Sequence, residues 1–128
     1  MAKEDMLNDD EIIVFLATAN PQRSKLFYEE TLGLEFLSEE PFALVFKVNG
    51  KMLRIFKVKE LQPAPHTVLG WAIEDIESKI DELCAKGVEF QRFDGFEQDD
   101  RGIWVSPSGA RIAWFHDPEG NSLSLTQF

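Results

Sequence analysis

The sequence predicts an α+β fold built from two modules of the same order, each running strand, helix and then three or more strands. Three spacings point there. The helix caps Asn20 and Asp75 stand 55 residues apart. The helix stops Gly33 and Gly87 stand 54 apart, and each opens a tetrapeptide of one pattern, GLEF and GVEF. The hairpin glycines Gly50 and Gly120 stand 70 apart, so the second module carries about 16 additional residues, at about 94–108.

The elements follow in order. Residues 1–10 are polar and acidic without a period, and read as a mobile arm. Residues 11–18 (EIIVFLAT) are dense in β-branched and aromatic side chains and too short for a helix, which predicts a strand. Asn20 then caps a helix with Pro21 at its first position; Phe27, Tyr28, Thr31 and Leu32 follow at helical spacing, and Gly33 ends it. Three strands come next: LEFLSE, ALVFKV and KMLRIFKV, the last two joined by the hairpin pair Asn49-Gly50. These make a first module over 11–60. Residues 61–65 form a proline-bearing linker.

The second module, 66–128, opens with the strand HTVLGWAI. Asp75 caps a helix whose apolar stripe is Ile76, Ile80, Leu83 and Cys84, which makes Cys84 a core residue. VEFQRF, GIWVSP, RIAWFHDP and NSLSLTQF read as strands, and alternation from Ser124 and Thr126 predicts an anchored Phe128.

Composition bounds the function. In 128 residues, 44% are hydrophobic and 28% charged, typical of a folded domain. The net charge of −10 repels phosphate backbones and anionic headgroups, so neither nucleic acid nor membrane is an expected partner. A single cysteine, Cys84, cannot make an intrachain disulfide, and a cytoplasmic location is expected. No P-loop, dinucleotide fingerprint, nucleophile elbow or HExxH pattern is present. His66 and His116 read as linker and hairpin residues.

The runs Ser24-x-x-Phe27-Tyr28-x-x-x-Leu32-Gly33 and Asp117-Pro118-x-Gly120-Asn121 give the chain, over about residues 12–128, its resemblance to a known family. It resembles the vicinal oxygen chelate superfamily, which holds glyoxalase I, bleomycin-resistance proteins and extradiol dioxygenases. The resemblance implies two βαβββ modules related by a pseudo-twofold axis, each a cupped mixed sheet, with a pocket between them. It also implies four metal-ligand positions, on the first and last strand of each module. Here they fall on Ile13, Arg54, Val68 and Ser124, none a usual ligand for a divalent metal.

No metal is therefore expected. Every second residue from those positions gives a pocket-facing set of Ile13, Phe15, Met52, Arg54, Phe56, Val68, Gly70, Ala72, Ser122, Ser124 and Thr126. Arg54 is its one cation, and a guanidinium in an apolar wall needs an anionic partner, either a protein carboxylate or a ligand. The inserted loop offers Asp94, Glu97, Asp99 and Asp100 as protein candidates, and Glu97, beside Phe96 and close to Trp104, is the one expected to turn inward. The expected ligand-binding residues are Arg54, Phe15, Met52, Phe56, Gly70, Glu97, Trp104, Ser124 and Thr126. The expected function is binding of a small molecule, a carboxylate or drug-like compound, by a metal-free homodimer of the bleomycin-resistance type. The alternative is a glyoxalase-like lyase or isomerase acting on a small oxygenated substrate, with a divalent metal or with Arg54 as stabiliser and Glu97 as base.

Overall fold

A computed structural model describes residues 6–128. The predicted arm lies partly outside these; residues 6–10 form turns, and the first strand begins at Ile13.

Two four-stranded mixed sheets carry the chain. The first contains β1 (Ile13–Thr18), β2 (Glu35–Glu39), β3 (Ala43–Val48) and β4 (Lys51–Lys57) in the order β1-β4-β3-β2. The second contains β5 (Thr67–Ala72), β6 (Trp104–Val105), β7 (Arg111–His116) and β8 (Ser122–Gln127) in the order β5-β8-β7-β6. In both, the first strand runs parallel to the last and the rest is antiparallel. The repeat is thus realised as topology. Phe15 lies opposite Arg54, and their equivalents Gly70 and Ser124 lie opposite each other.

Both predicted caps form. The Asn20 side chain accepts from the Arg23 N–H and starts α1 (Pro21–Leu26); the Asp75 carboxylate accepts from the Ser78 N–H and starts α2 (Ile76–Ala85). Helix α1 does not stay regular. It continues as a π-helical turn, Phe27–Thr31, closed by the Leu32 N–H on the Phe27 carbonyl. Asn49 and Gly50 both have positive φ, +48° and +79°, as the two-residue hairpin turn between β3 and β4 requires.

Side chains from the helix-facing side of both sheets meet in one core. It includes Leu16, Leu53 and Ile55 from the first sheet, Phe115, Leu123 and Leu125 from the second, and Tyr28, Ile76 and Ile80 from the helices. One strand expectation and two core expectations fail, and a second strand forms only in part. VEFQRF contributes only a Phe90–Phe115 bridge, and GIWVSP only the two-residue β6. Cys84 is exposed, because Ile76, Ile80 and Leu83 already supply the buried stripe of α2. Phe128 is 92% exposed: β8 ends at Gln127, whose side-chain oxygen accepts the Ile76 N–H. No helix of the described residues is long and apolar enough to cross a membrane.

Candidate functional site

Strand alternation gives each sheet a second face, turned away from the shared core. On the first sheet it carries Ile13, Phe15, Met52, Arg54 and Phe56. Ile13 and Phe15 are 48% and 53% exposed, Met52 and Phe56 37% and 38%, and the Phe15 and Phe56 rings stack at 5.4 Å. Together they form an exposed apolar patch on this face.

Arg54 does find a protein carboxylate, but it is Glu40 and not Glu97. The Arg54 Nη2 group donates to the Glu40 carboxylate at 2.6 Å. Glu97 is exposed on its loop. The turn between β2 and β3 returns Glu40 to the sheet, its N–H bonded to the Ala43 carbonyl, and Ala43 in turn pairs with Phe56 on β4. The signal in the sequence was the tight Glu40-Pro41-Phe42 turn, which brings the end of one strand back beside the next.

The equivalent face of the second sheet carries Gly70, Ala72, Ser122, Ser124 and Thr126, with Ile112, Trp114 and His116 from β7. Gly70 leaves room for its neighbour: a Cβ there would stand 2.6 Å from the Ser124 hydroxyl oxygen, which would have to rotate away. Val68 is not on this face. A bulge between Thr67 and Leu69 makes it an extra residue of β5 without a partner on β8, and its side chain packs against the core. Thr67 takes the place beside Ser122 instead, their hydroxyls 3.4 Å apart.

An aromatic wall stands over this face. Phe93 meets Trp114 edge-on at 5.4 Å, Phe96 stacks on Trp104 at 4.9 Å, and Phe96 and Trp114 lie 5.9 Å apart. The loop that presents the two phenylalanines is braced by Gln98. Its amide nitrogen donates to the Gln91 and Gly102 carbonyls, and its oxygen accepts the Phe93 N–H. A bidentate Arg101–Asp81 pair ties the loop to α2, and the guanidinium holds the Asp81 carboxyl below its ordinary range.

Phe93, Phe96 and Trp114 of the wall, with Thr67, Ser122 and the rim residues His66, His116 and Asp94, line an open cavity of about 590 Å³. A second, of about 290 Å³, lies at the seam between the sheets and brings Met52 together with Gly70 and Ala72. Of the predicted residues, Trp104 is part of the wall and Ser124 is paired with Trp114. Phe15, Arg54 and Phe56 belong to the first sheet. Phe93, Phe96 and Trp114 were not singled out from the sequence; alternation in RIAWFH places Trp114 opposite Ser124 and was the available signal.

The four positions that the resemblance assigns to a metal do not fit one. Ile13 offers hydrocarbon, Arg54 a cation already bonded to a carboxylate, Val68 a core methyl group and Ser124 a neutral hydroxyl.

Beside the larger cavity, the turn of residues 117–121, which joins His116 to Ser122, links the two modules. The buried Tyr28 hydroxyl donates to Asp117 at 2.7 Å, the Asn121 amide donates to the Ala17 carbonyl, and Arg23 pairs with Glu119 at 2.7 Å. Burial, then the Asp117 charge, raise the Tyr28 phenol far above its ordinary value. Partial burial pushes the Glu119 carboxyl up, but hydrogen bonds from Arg23, the Ala19 N–H and Thr18 outweigh it and hold the group below its ordinary value.

No curated protein matches the chain. Among solved structures, a glyoxalase family protein from Enterococcus faecalis is similar at 26% identity, covering 91% of this chain and 94% of that one, with a TM-score of 0.67. A lactoylglutathione lyase from Agrobacterium tumefaciens, at 18% identity and 93% coverage of each chain, has a TM-score of 0.66. A glyoxalase/bleomycin resistance protein/dioxygenase from Alicyclobacillus acidocaldarius, at 16% identity and covering 94% and 92%, has a TM-score of 0.67. The last two likenesses are of fold alone. With two parallel-first mixed sheets in tandem and a family model matching residues 12–125, the chain belongs to the Glyoxalase/Bleomycin resistance protein/Dioxygenase superfamily.

Proposed function

We propose that this chain is a small-molecule binding protein that acts by holding its ligand, without a resident metal. The observation that carries the reading is the braced wall, in which Trp104 backs Phe96, and Phe93, Phe96 and Trp114 line an open cavity of about 590 Å³, within the roughly 300–1,000 Å³ usual for ligand sites. A hydroxyl floor and an aromatic wall give orientation and contact area, and no metal-ligating set stands at the inherited positions to turn the ligand over. Arg54, neutralised by Glu40, gives no reason to favour a carboxylate ligand over others. A lyase or isomerase built on Arg54 and Glu97 draws no support, since the first is engaged by Glu40 and the second is exposed on a loop.

Two copies complete the site in this reading. The open apolar face of the first sheet in one copy covers the aromatic face of the second sheet in the other, a closed twofold pairing. An exposed, unpaired Cys84 suits the reducing cytoplasm, where we place the protein.

A thermal-shift screen against divalent metals, carboxylates, aromatic amines and antibiotics tests the binding role, because a ligand of the native state raises its melting temperature. Stabilisation by an organic compound with no response to metals is expected. Stabilisation by a metal alone, with an equivalent of it retained through purification, would overturn the metal-free reading. Light scattering on a sizing column should give a dimer mass; a monomer at micromolar concentration would remove the shared site.

A further inference from the structure

Resting on that binding role, we propose that the cavity over the second sheet takes a flat organic cation. The rings supply the first reason. Phe93 and Phe96 stay 39% and 44% exposed although each packs against a tryptophan, so ring surface remains open to a guest. An aromatic face is the negative part of the ring quadrupole and attracts a cation laid against it.

Charge supplies the second. Asp94 sits in the chain between Phe93 and Phe96, and among the described residues lining the cavity it alone carries a formal charge, the histidines counted as neutral. Arg92, on the same loop, is turned to the Asp100 and Gln98 carbonyls at 2.7 and 3.5 Å. An anionic guest would therefore meet a carboxylate and ring faces with no lysine or arginine in the lining, while a cation meets both with favourable sign. The chain's net charge of −10 adds attraction at long range.

Preorganisation is the third. Gln98 holds both ends of the loop through three hydrogen bonds, so the rings stand in place before the guest arrives and little ordering entropy is lost on binding. The hydroxyls of Thr67 and Ser122 at the floor serve polar substituents on the guest.

Calorimetric titration of the full chain with three probes of one shape tests this: N-methylacridinium, acridine at mildly alkaline pH where it is neutral, and acridine-9-carboxylate. The cation should bind about tenfold tighter than the neutral probe, with the anion weakest. Asp94→Asn should shrink the cation-to-neutral ratio several-fold. Trp114→Ala should weaken all three, with Trp114→Phe as the milder variant if the alanine form fails to fold. A neutral probe binding as tightly as the cation, or an unchanged ratio in Asp94→Asn, overturns the cation assignment and leaves the binding role standing. No binding of any probe, by a dimeric and folded protein, overturns this cavity as the site altogether.

Discussion

Tyr28 of the first module donates its hydroxyl hydrogen to Asp117 of the second at 2.7 Å, and both side chains are buried. The π-helical turn carries Tyr28, and the turn between β7 and β8 carries Asp117, so one bond joins the two segments on which the family resemblance was read. The Asp117 carboxylate is satisfied throughout: it also accepts from the Glu119 and Asn121 N–H groups and the Asn121 amide. Four donors replace the water that burial removes.

Tyr28→Phe should lower stability by ~1–3 kcal/mol, because it leaves a buried carboxylate one donor short while keeping the ring's packing. Chemical denaturation at neutral pH measures it. A loss below about 0.5 kcal/mol would mean that solvent reaches Asp117.

Glu119 makes the same junction sensitive to acid. Its carboxyl is held below the ordinary value in the folded chain, so its contribution is present at neutral pH and fades as the pH falls through the folded-state value. Stability of the native chain minus that of Glu119→Gln, followed from neutral pH downwards, should therefore shrink towards zero. A difference that grows on acidification would show the carboxyl raised instead.

Arg54→Met should change stability by no more than ~1 kcal/mol, since Glu40 is partly exposed and can return to water. Adding Glu97→Gln in the same background should change nothing further. A loss of several kcal/mol that Glu97→Gln restores would mean that the loop closes over Arg54 in solution.

At the end of the chain two adjacent residues should behave oppositely. Gln127→Ala removes the acceptor of the Ile76 N–H at the start of α2 and should lower stability by ~1 kcal/mol. Phe128→Ala, at an exposed position, should stay within ~0.5 kcal/mol. Equal losses in denaturant would show Phe128 packed, as strand alternation alone had suggested.

Metal analysis of protein purified without chelator should find far less than one divalent ion per chain, since Ile13, Arg54, Val68 and Ser124 present no donor set for one. A retained equivalent, lost in His66→Ala or His116→Ala, would point to a metal on the rim of the large cavity.

What the sequence determined by itself is local or periodic. Caps at Asn20 and Asp75, the Asn49-Gly50 turn, and the paired offsets that set Phe15 against Arg54 and Gly70 against Ser124 all act over a few bonds or repeat at fixed spacing. Tertiary structure decided the rest. Val68 left the site because a bulge is settled by how β5 and β8 pair, which alternation along one strand does not register. Glu40 replaced Glu97 as the partner of Arg54 because the β2–β3 turn brings it there, and a charge pairs with the nearest opposite charge in space and not with the one that composition suggests. Cys84 was left outside because three other residues filled the face of α2. The aromatic wall joins Phe96 to Trp104 and Phe93 to Trp114, 8 and 21 residues apart in the chain, through a loop braced by Gln98 and Arg101, and such contacts exist only once the strands beneath them have paired.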